Sequence, residues 1–286
     1  MILIVDSGST KSDWIAIDND GNKLFDKIKT KGLNPAILSE KKIKKIIKNE
    51  KKLKANRKKV THLYFYGAGC GTETPRLTLK TVFKQFFSKA KVIIKEDTMA
   101  AVYATINTPK EAAIVCILGT GSNCSYFDGK VLHQRVSSLG YSIMDDGSGN
   151  YFGKQLLREY YFNHMPKPVR DSFEENYNLD ADYIKYNLYK KPNPNAYLAQ
   201  FAEFMILNKE SKYIKELIKT GIRSFAKNMI LQYTDELKTV PVHFAGSVAF
   251  FCQEEIREVA KELGFKTDNF IRRPIDGLVS FHKVNK

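Results

Sequence analysis

Apolar residues alternate or run in short blocks along this chain, and turn residues separate the blocks. Residues 2–6, 12–18 and 23–30 read as three strands joined by tight turns, a meander. Between 41 and 55, Ile43, Ile46, Ile47 and Leu53 recur at helical intervals, which predicts an amphipathic helix. A strand at 61–66 follows, then a helix beginning near Pro75, whose fixed φ suits a first helical turn. A strand at 91–95 leads into a helix opening at Asp97. The pattern then restarts. Strands at 112–118, 122–127 and 130–137 form a second meander, and helices dominate from 150 to 238. A strand at 241–245, a helix to about Leu263, a strand at 266–271 and a short C-terminal helix complete the copy. The order βββαβαβα therefore occurs twice, with a helical insertion in the second copy. That duplication predicts two α/β domains facing a cleft, with ligands at the carboxyl ends of the strands.

Length agrees, because 286 residues correspond to roughly two domains of ordinary size. With 43% hydrophobic and 12% aromatic residues the chain can bury real cores, which excludes the disordered class. The apolar run at Ile2–Val5 ends in Asp6, too short and too acidic for a secretory signal, and no stretch approaches the ~18 apolar residues of a membrane span. The expectation is a soluble cytoplasmic protein with no membrane partner. The net charge of +15 raises the question of nucleic acid, but Glu40 to Lys59 alone holds ten lysines and one arginine, on the solvent face of the predicted helix. No nucleic-acid motif and no interleaved aromatics accompany them, so no nucleic-acid partner is expected. Of the four cysteines, Cys116 and Cys252 sit in apolar segments, where reduced thiols behave as small hydrophobes.

Candidate chemistry gathers at the turns. Asp6-Ser7-Gly8-Ser9-Thr10-Lys11 and Gly119-Thr120-Gly121-Ser122-Asn123 each follow a β-branched apolar run and lead into a second strand. Glycine lets backbone N–H groups approach a ligand and hydroxyls add donors, so both hairpins suit phosphate oxygens. Two of them in matching contexts suggest half-domains closing on one polyphosphate. Asp6 can hold hydrated Mg²⁺ against phosphates, or bond its own turn. Asp97 reads as a helix N-cap and as a general base for a hydroxyl attacking a γ-phosphate, and the two roles are compatible. Within Gly140 to Gly149, Asp145 and Asp146 precede Gly147-Ser148-Gly149. Either Ser148 caps the next helix, or the acidic pair faces substrate hydroxyls. Asn34, in the Lys31–Pro35 turn, and Gly69, at a glycine-rich strand end, are weaker candidates for ligand contact.

As a set, these segments resemble the BadF/BadG/BcrA/BcrD-type ATPases of the actin, hexokinase and Hsp70 superfamily, above all the N-acetylglucosamine kinase branch. Asp6-x-Gly8-x-Thr10-Lys11 is similar to the first phosphate motif of that superfamily, Gly119–Asn123 to the second, and Ala245-Gly246-Ser247-Val248 to the adenosine motif. Gly140–Gly149 resembles the sugar kinases' acidic Gly-Ser signature, and the motifs run in family order over nearly the whole chain. The resemblance implies two ribonuclease H-like (actin-like ATPase) domains, 1–108 and 109–286, the last helix packing back on the first. It implies an ATP- and Mg²⁺-dependent amino-sugar kinase acting on the 6-hydroxyl of N-acetylglucosamine or a close relative, as a homodimer. Ser9, Thr10, Lys11, Gly119, Thr120, Gly121 and Ser122 would line the phosphates, and Gly246 and Ser247 would pack on adenosine. Asn34, Gly69, Asp97, Thr120, Asp145 and Asp146 would surround the sugar, with Asp97 as base and Asp6 at the metal. Met144, Asp146 and Leu139 depart from the family's usual Gly, Glu and aromatic, which bears on sugar identity more than on phosphoryl transfer.

Two rival functions remain open at this level. One is an ATPase activator of a reductase or dehydratase carrying a bridging iron–sulfur cluster, which needs thiolates such as Cys70 and Cys124 beside glycine loops. The other is a non-catalytic nucleotide-dependent sugar sensor.

Overall fold

A computed structural model describes residues 1–8 and 11–284. Two compact units are present: Met1–Pro109 with Arg273–Lys286, and Lys110–Arg272.

In the first unit, β1 (Ile2–Ser7), β2 (Lys11–Ile17) and β3 (Ile28–Lys31) form the meander, followed by α1 (Glu40–Asn49), α2 (Lys51–Asn56), β4 (His62–Gly67), α3 (Glu73–Phe86), β5 (Lys91–Glu96) and α4 (Asp97–Thr105). The sheet order is β3-β2-β1-β4-β5, with β1, β4 and β5 parallel and β2 antiparallel to both its neighbours. Period-two alternation sends Leu3, Val5, Trp14, Ala16, Leu63 and Phe65 into one core with Ile43, Ile47, Leu79 and Phe83. Trp14 is fully buried there, edge-on to Phe83 at 6.1 Å, and its Nε1 donates to Thr30 Oγ1 at 3.0 Å. A buried ring of that size removes roughly 150–250 Å² from water, which contributes several kcal/mol. The opposite face carries Ile4, Asp6, Asp13, Ile15 and Ile17. It is covered by α4 and by the C-terminal helix Pro274–Val284, which pack on one another and on β1.

The second unit repeats the plan. β6 (Ala113–Leu118), β7 (Ser122–Phe127) and β8 (Leu132–His133) form its meander; α5 (Gly149–Tyr161), α6 (Lys167–Asn176), α7 (Ala181–Tyr189), α8 (Pro194–Gln200), α9 (Ala202–Leu207) and α10 (Lys212–Asn228) follow. Then come β9 (Val242–Ala245), α11 (Ser247–Phe251), α12 (Gln253–Leu263) and β10 (Thr267–Ile271); α13 is the C-terminal helix of the first unit. The order β10-β9-β6-β7-β8 has the same strand directions at corresponding places. One core joins this sheet to the inserted helices, with Phe152, Phe173, Phe201, Phe225 and Phe244 buried in it.

Several expected elements are shorter or divided. The third strand pairs at Ile17–Lys23, after a turn closed by the Asp18 carboxylate accepting from the N–H groups of Asp20 and Asn22, and then breaks until Ile28. The helix expected over 41–55 breaks at Glu50, which takes extended φ/ψ and accepts from Lys52 N–H to start α2. The strand expected over 130–137 is reduced to two residues. Arg135 is drawn instead to the Gln232 carbonyl and the Glu236 carboxylate, with its guanidinium over the Tyr233 ring. Pro75 stands third in α3, where its missing N–H is no loss because the first helical N–H groups lack intrahelical partners anyway. The helix expected to run to Leu263 is divided at Cys252.

Candidate active site

Within the first unit, the candidate carboxylates lie at one end of the parallel strands. Asp6 is the penultimate residue of β1 and faces Asp13 directly across the antiparallel pair. Asp97 begins α4 immediately after β5, two strand spacings or roughly 10 Å from β1. Burial pushes the Asp6 carboxyl up to about 7, and the charges of Asp97 and Asp13 add to it while Lys11 and Lys27 oppose it. Asp97 is open to solvent yet crowded by protein. That crowding raises its carboxyl above the usual range, and the hydrogen bond from Thr98 N–H (3.1 Å) opposes the rise. The N-cap of α4 is Glu96, so Asp97 stands one position inside the helix rather than at the cap the sequence suggested.

The first hairpin is tied to the Asn34 turn. Ser7 Oγ and Ser12 Oγ lie 2.7 Å apart, and Ser7 Oγ also accepts from Leu33 N–H at 3.0 Å. Asn34 is buried and accepts from Ala36 N–H at 2.9 Å, so it stabilises its own loop. It also abuts Gly69, where φ is +77° and an added Cβ would fall 2.0 Å from Asn34 Oδ1. The fold thus brings Asn34 and Gly69 together from distant parts of the sequence. Lys11 is exposed at the start of β2, and its carbonyl accepts from Gly8 N–H at 3.0 Å. Ser9 and Thr10 lie outside the described residues.

Asp13 carries no sequence motif of its own. Its Oδ2 receives Lys27 Nζ at 3.1 Å, while Oδ1 is buried with no partner among the described residues. Two opposed carboxylates, one with an orphaned buried oxygen, form an all-oxygen donor set that suits a hard cation such as Mg²⁺. The only signal for it in the sequence is an acid inside the apolar run Ser12–Ile17.

Within the second unit, the turn Gly119–Ser122 joins β6 to β7. Its carbonyls are held from behind: Gly119 O accepts from Gly149 N–H at 2.8 Å and Thr120 O from Asn150 N–H at 3.0 Å. The start of α5, with Ser148 as its N-cap accepting from Tyr151 N–H, therefore orients the turn. A Cβ at Gly119 would meet nothing within 4 Å, so packing does not explain that glycine. Asp145 takes a left-handed φ of 71°, is buried, and its Oδ2 accepts from Asn150 Nδ2 at 2.9 Å. Asp146 points elsewhere: its Oδ2 accepts from Ser224 Oγ (2.8 Å) and Asn228 Nδ2 (2.9 Å), pinning the acidic loop to α10.

Gly246, between β9 and α11, has φ +114°, and a Cβ there would lie 2.3 Å from Leu118 O. Only glycine fits. Beside it opens a cavity of about 430 Å³ lined by Thr120, Gly149, Glu203, Ser247, Phe251 and Arg272, among others. The Arg272 guanidinium lies 4.7 Å over the Phe251 ring. Neither residue is foreshadowed by the sequence, because Phe251 ends α11 and Arg272 follows β10 with no local motif. A larger groove of about 570 Å³ runs between β3 and α1, lined by Lys29, Lys31, Lys42 and Lys45, and contains no candidate residue except the neighbours of the Asn34 turn.

No family model and no curated protein matches the chain. Solved structures do. A Porphyromonas gingivalis protein described as "Putative N-acetylglucosamine Kinase" is 32% identical, with a TM-score of 0.91 over 100% of this chain and 99% of its own. The chain belongs to that sugar-kinase family. A Chromobacterium violaceum protein with the same description is 14% identical, with a TM-score of 0.68 over 98% of each chain. A ROK family glucokinase from Streptomyces griseus, solved with glucose and AMPPNP, is 12% identical, with a TM-score of 0.55 over 99% of this chain and 98% of its own. These two agree in fold. The two five-stranded mixed sheets are the duplicated actin-like ATPase domains that the motifs led one to expect.

Proposed function

We propose that the protein is an ATP-dependent amino-sugar kinase of the N-acetylglucosamine kinase branch, transferring the γ-phosphoryl group of ATP to the 6-hydroxyl of N-acetylglucosamine or a close relative. The observation that carries this reading is the shared position of the candidate residues. Asp6 and Asp97 sit at the carboxyl ends of β1 and β5, and Gly119–Ser122 and Gly246–Ser247 at those of β6 and β9, where open α/β sheets bind their ligands.

In this reading Lys11, Gly119, Thr120, Gly121 and Ser122, with Ser9 and Thr10, bind the phosphates, and Gly246 and Ser247 bind the adenosine. Asn34, Gly69, Thr120 and Asp145 hold the sugar. The Asp97 carboxylate takes the hydroxyl proton as the sugar oxygen bonds to the γ-phosphorus. The bond to the β,γ-bridging oxygen breaks, and its electron pair leaves with ADP. A placed base typically contributes 10²–10⁴-fold, so alignment and charge stabilisation supply most of the acceleration. Magnesium, held by Asp6, would offset phosphate charge. Asp146 anchors the loop through Oδ2, which Ser224 and Asn228 share, and its other oxygen is the one left for the sugar. The cytoplasmic location and homodimer implied by the family resemblance belong to the same proposal.

The iron–sulfur activator finds no support in the thiols. All four cysteines are buried and free, Cys124 lies against Cys116 with the sulfurs 3.5 Å apart, and burial pushes the Cys70 thiol up to about 12. The test is coupled ATP consumption over a panel of amino sugars, each with a no-sugar control. Sugar-dependent ADP release with N-acetylglucosamine or a near relative is expected; ATP binding without turnover across the panel would favour the sensor instead.

A further inference from the structure

The side chain of Asn150 is 1% exposed and stands at the second position of α5, where no intrahelical partner is available for its N–H. Its main-chain N–H goes to Thr120 O at 3.0 Å. Its amide nitrogen donates twice more, to Thr120 O at 2.6 Å and to Asp145 Oδ2 at 2.9 Å, which uses both donors of that group. Asn150 Oδ1 is buried and has no partner among the described residues, so protein alone does not complete this network. Asp145 also lies over the turn itself: a Cβ on Gly121 would come 2.8 Å from Asp145 Oδ2. Its left-handed φ of 71° is a strained backbone state held by these surroundings.

We infer that Asn150 is a positioning residue that couples sugar recognition at Asp145 to the nucleotide grip at Thr120. The inference rests on the kinase reading above. One amide group clamps both partners, so Asp145 cannot shift without moving the Thr120 carbonyl, whose turn presents the neighbouring N–H groups to phosphate. A bound sugar that fixes Asp145 therefore preorganises the turn. By linkage, a bound nucleotide that fixes the turn tightens sugar binding by the same factor. A residue that only filled space in the α5 start would contribute stability but no such factor.

The experiment measures N-acetylglucosamine dissociation constants by calorimetry, with and without AMPPNP, in the wild type and in Asn150→Ala, Asn150→Asp, Asp145→Asn. AMPPNP should tighten sugar binding in the wild type by about 5–150-fold, the usual range of such coupling. In Asn150→Ala and Asn150→Asp that ratio should fall to within twofold of one. Asn150→Asp keeps the side-chain volume but sets a second carboxylate against Asp145, so Asn150→Leu, of similar volume and with no polar group, is measured beside it, and the same loss there separates hydrogen bonding from packing. A wild-type ratio of one, or an unchanged ratio in the Asn150 variants, overturns the coupling. If Asp145→Asn binds sugar as well as the wild type, Asp145 does not hold the sugar and the coupling falls; if the wild type turns over ATP with no amino sugar of the panel, the kinase reading itself has failed and the coupling falls with it.

Discussion

Replacing Asp6 with asparagine should stabilise the ligand-free protein while destroying its use of Mg²⁺ and ATP. The Asp6 carboxyl is pushed up to about 7 from an ordinary 3.8, by burial first and by Asp97 and Asp13 next. Between those two values the folded state holds a proton that the unfolded chain has lost. Stability therefore declines as pH rises across the window and levels off above it. A tenfold change in proton affinity is worth about 1.36 kcal/mol, so a window roughly three pH units wide gives a ceiling of about 4 kcal/mol above pH 7. Asparagine keeps the shape and cannot ionise. Its advantage over the wild type should be small at pH 4, grow steadily to pH 7, and reach several degrees of melting temperature at pH 8. Thermal melts at pH 4.5, 6 and 8 in chelator would measure it. Adding millimolar Mg²⁺ at pH 8 should stabilise the wild type and leave Asp6→Asn unmoved. An advantage that does not change with pH would refute the account, because only ionisation against Asp97, Asp13 and the low dielectric produces the slope.

Four further outcomes are expected. Asp97→Asn should lower sugar-dependent kcat by about 10²–10⁴-fold with little change in ATP binding; full turnover would remove Asp97 as base. Because its carboxyl is raised, the acid limb of the wild-type kcat/KM profile should lie above the ordinary aspartate range, and a limb at or below that range would contradict the assignment. Gly246→Val should abolish measurable AMPPNP binding and cost at least about 2 kcal/mol, since φ +114° is strained for any L side chain and the Cβ would strike Leu118 O; melting and calorimetry check both. His282 is buried against Tyr66, Nε2 to Oη 2.8 Å, and burial holds it down at about 4. The unfolded chain then takes the proton first, so stability falls as pH drops from about 6.5 to 4, by up to about 3 kcal/mol, and His282→Gln should flatten that decline in pH-dependent melts.

Much of this protein was legible from local pattern. Short apolar runs at Ile2–Val5 and Ala113–Leu118, each followed by a glycine-rich turn and a second strand-like segment at Ser12–Ile17 and Ser122–Phe127, specified the strands and the duplication, because a brief apolar block bounded by turn residues suits a buried strand. Glycine at 119, 121 and 246 marked places where backbone must bend or lie open, and Asp97 after an apolar run marked a strand end. Expected lengths failed where a distant partner outweighed propensity: Arg135 leaves the sheet for Glu236 and Tyr233, and Glu50 caps a new helix inside a lysine-rich stripe.

The tertiary structure decided what the polar residues do. Asp145 and Asp146 are adjacent in sequence and similar in chemistry, yet one turns to Asn150 and the other to Ser224 and Asn228. Asp13 became a candidate only when strand register set it opposite Asp6, and Asn34 gained its neighbour Gly69 only through packing. Periodicity reports what each residue's own element needs. Partner choice, burial and the charge state of a carboxyl depend on groups brought close by the folded chain, and no run of neighbouring letters encodes those distances.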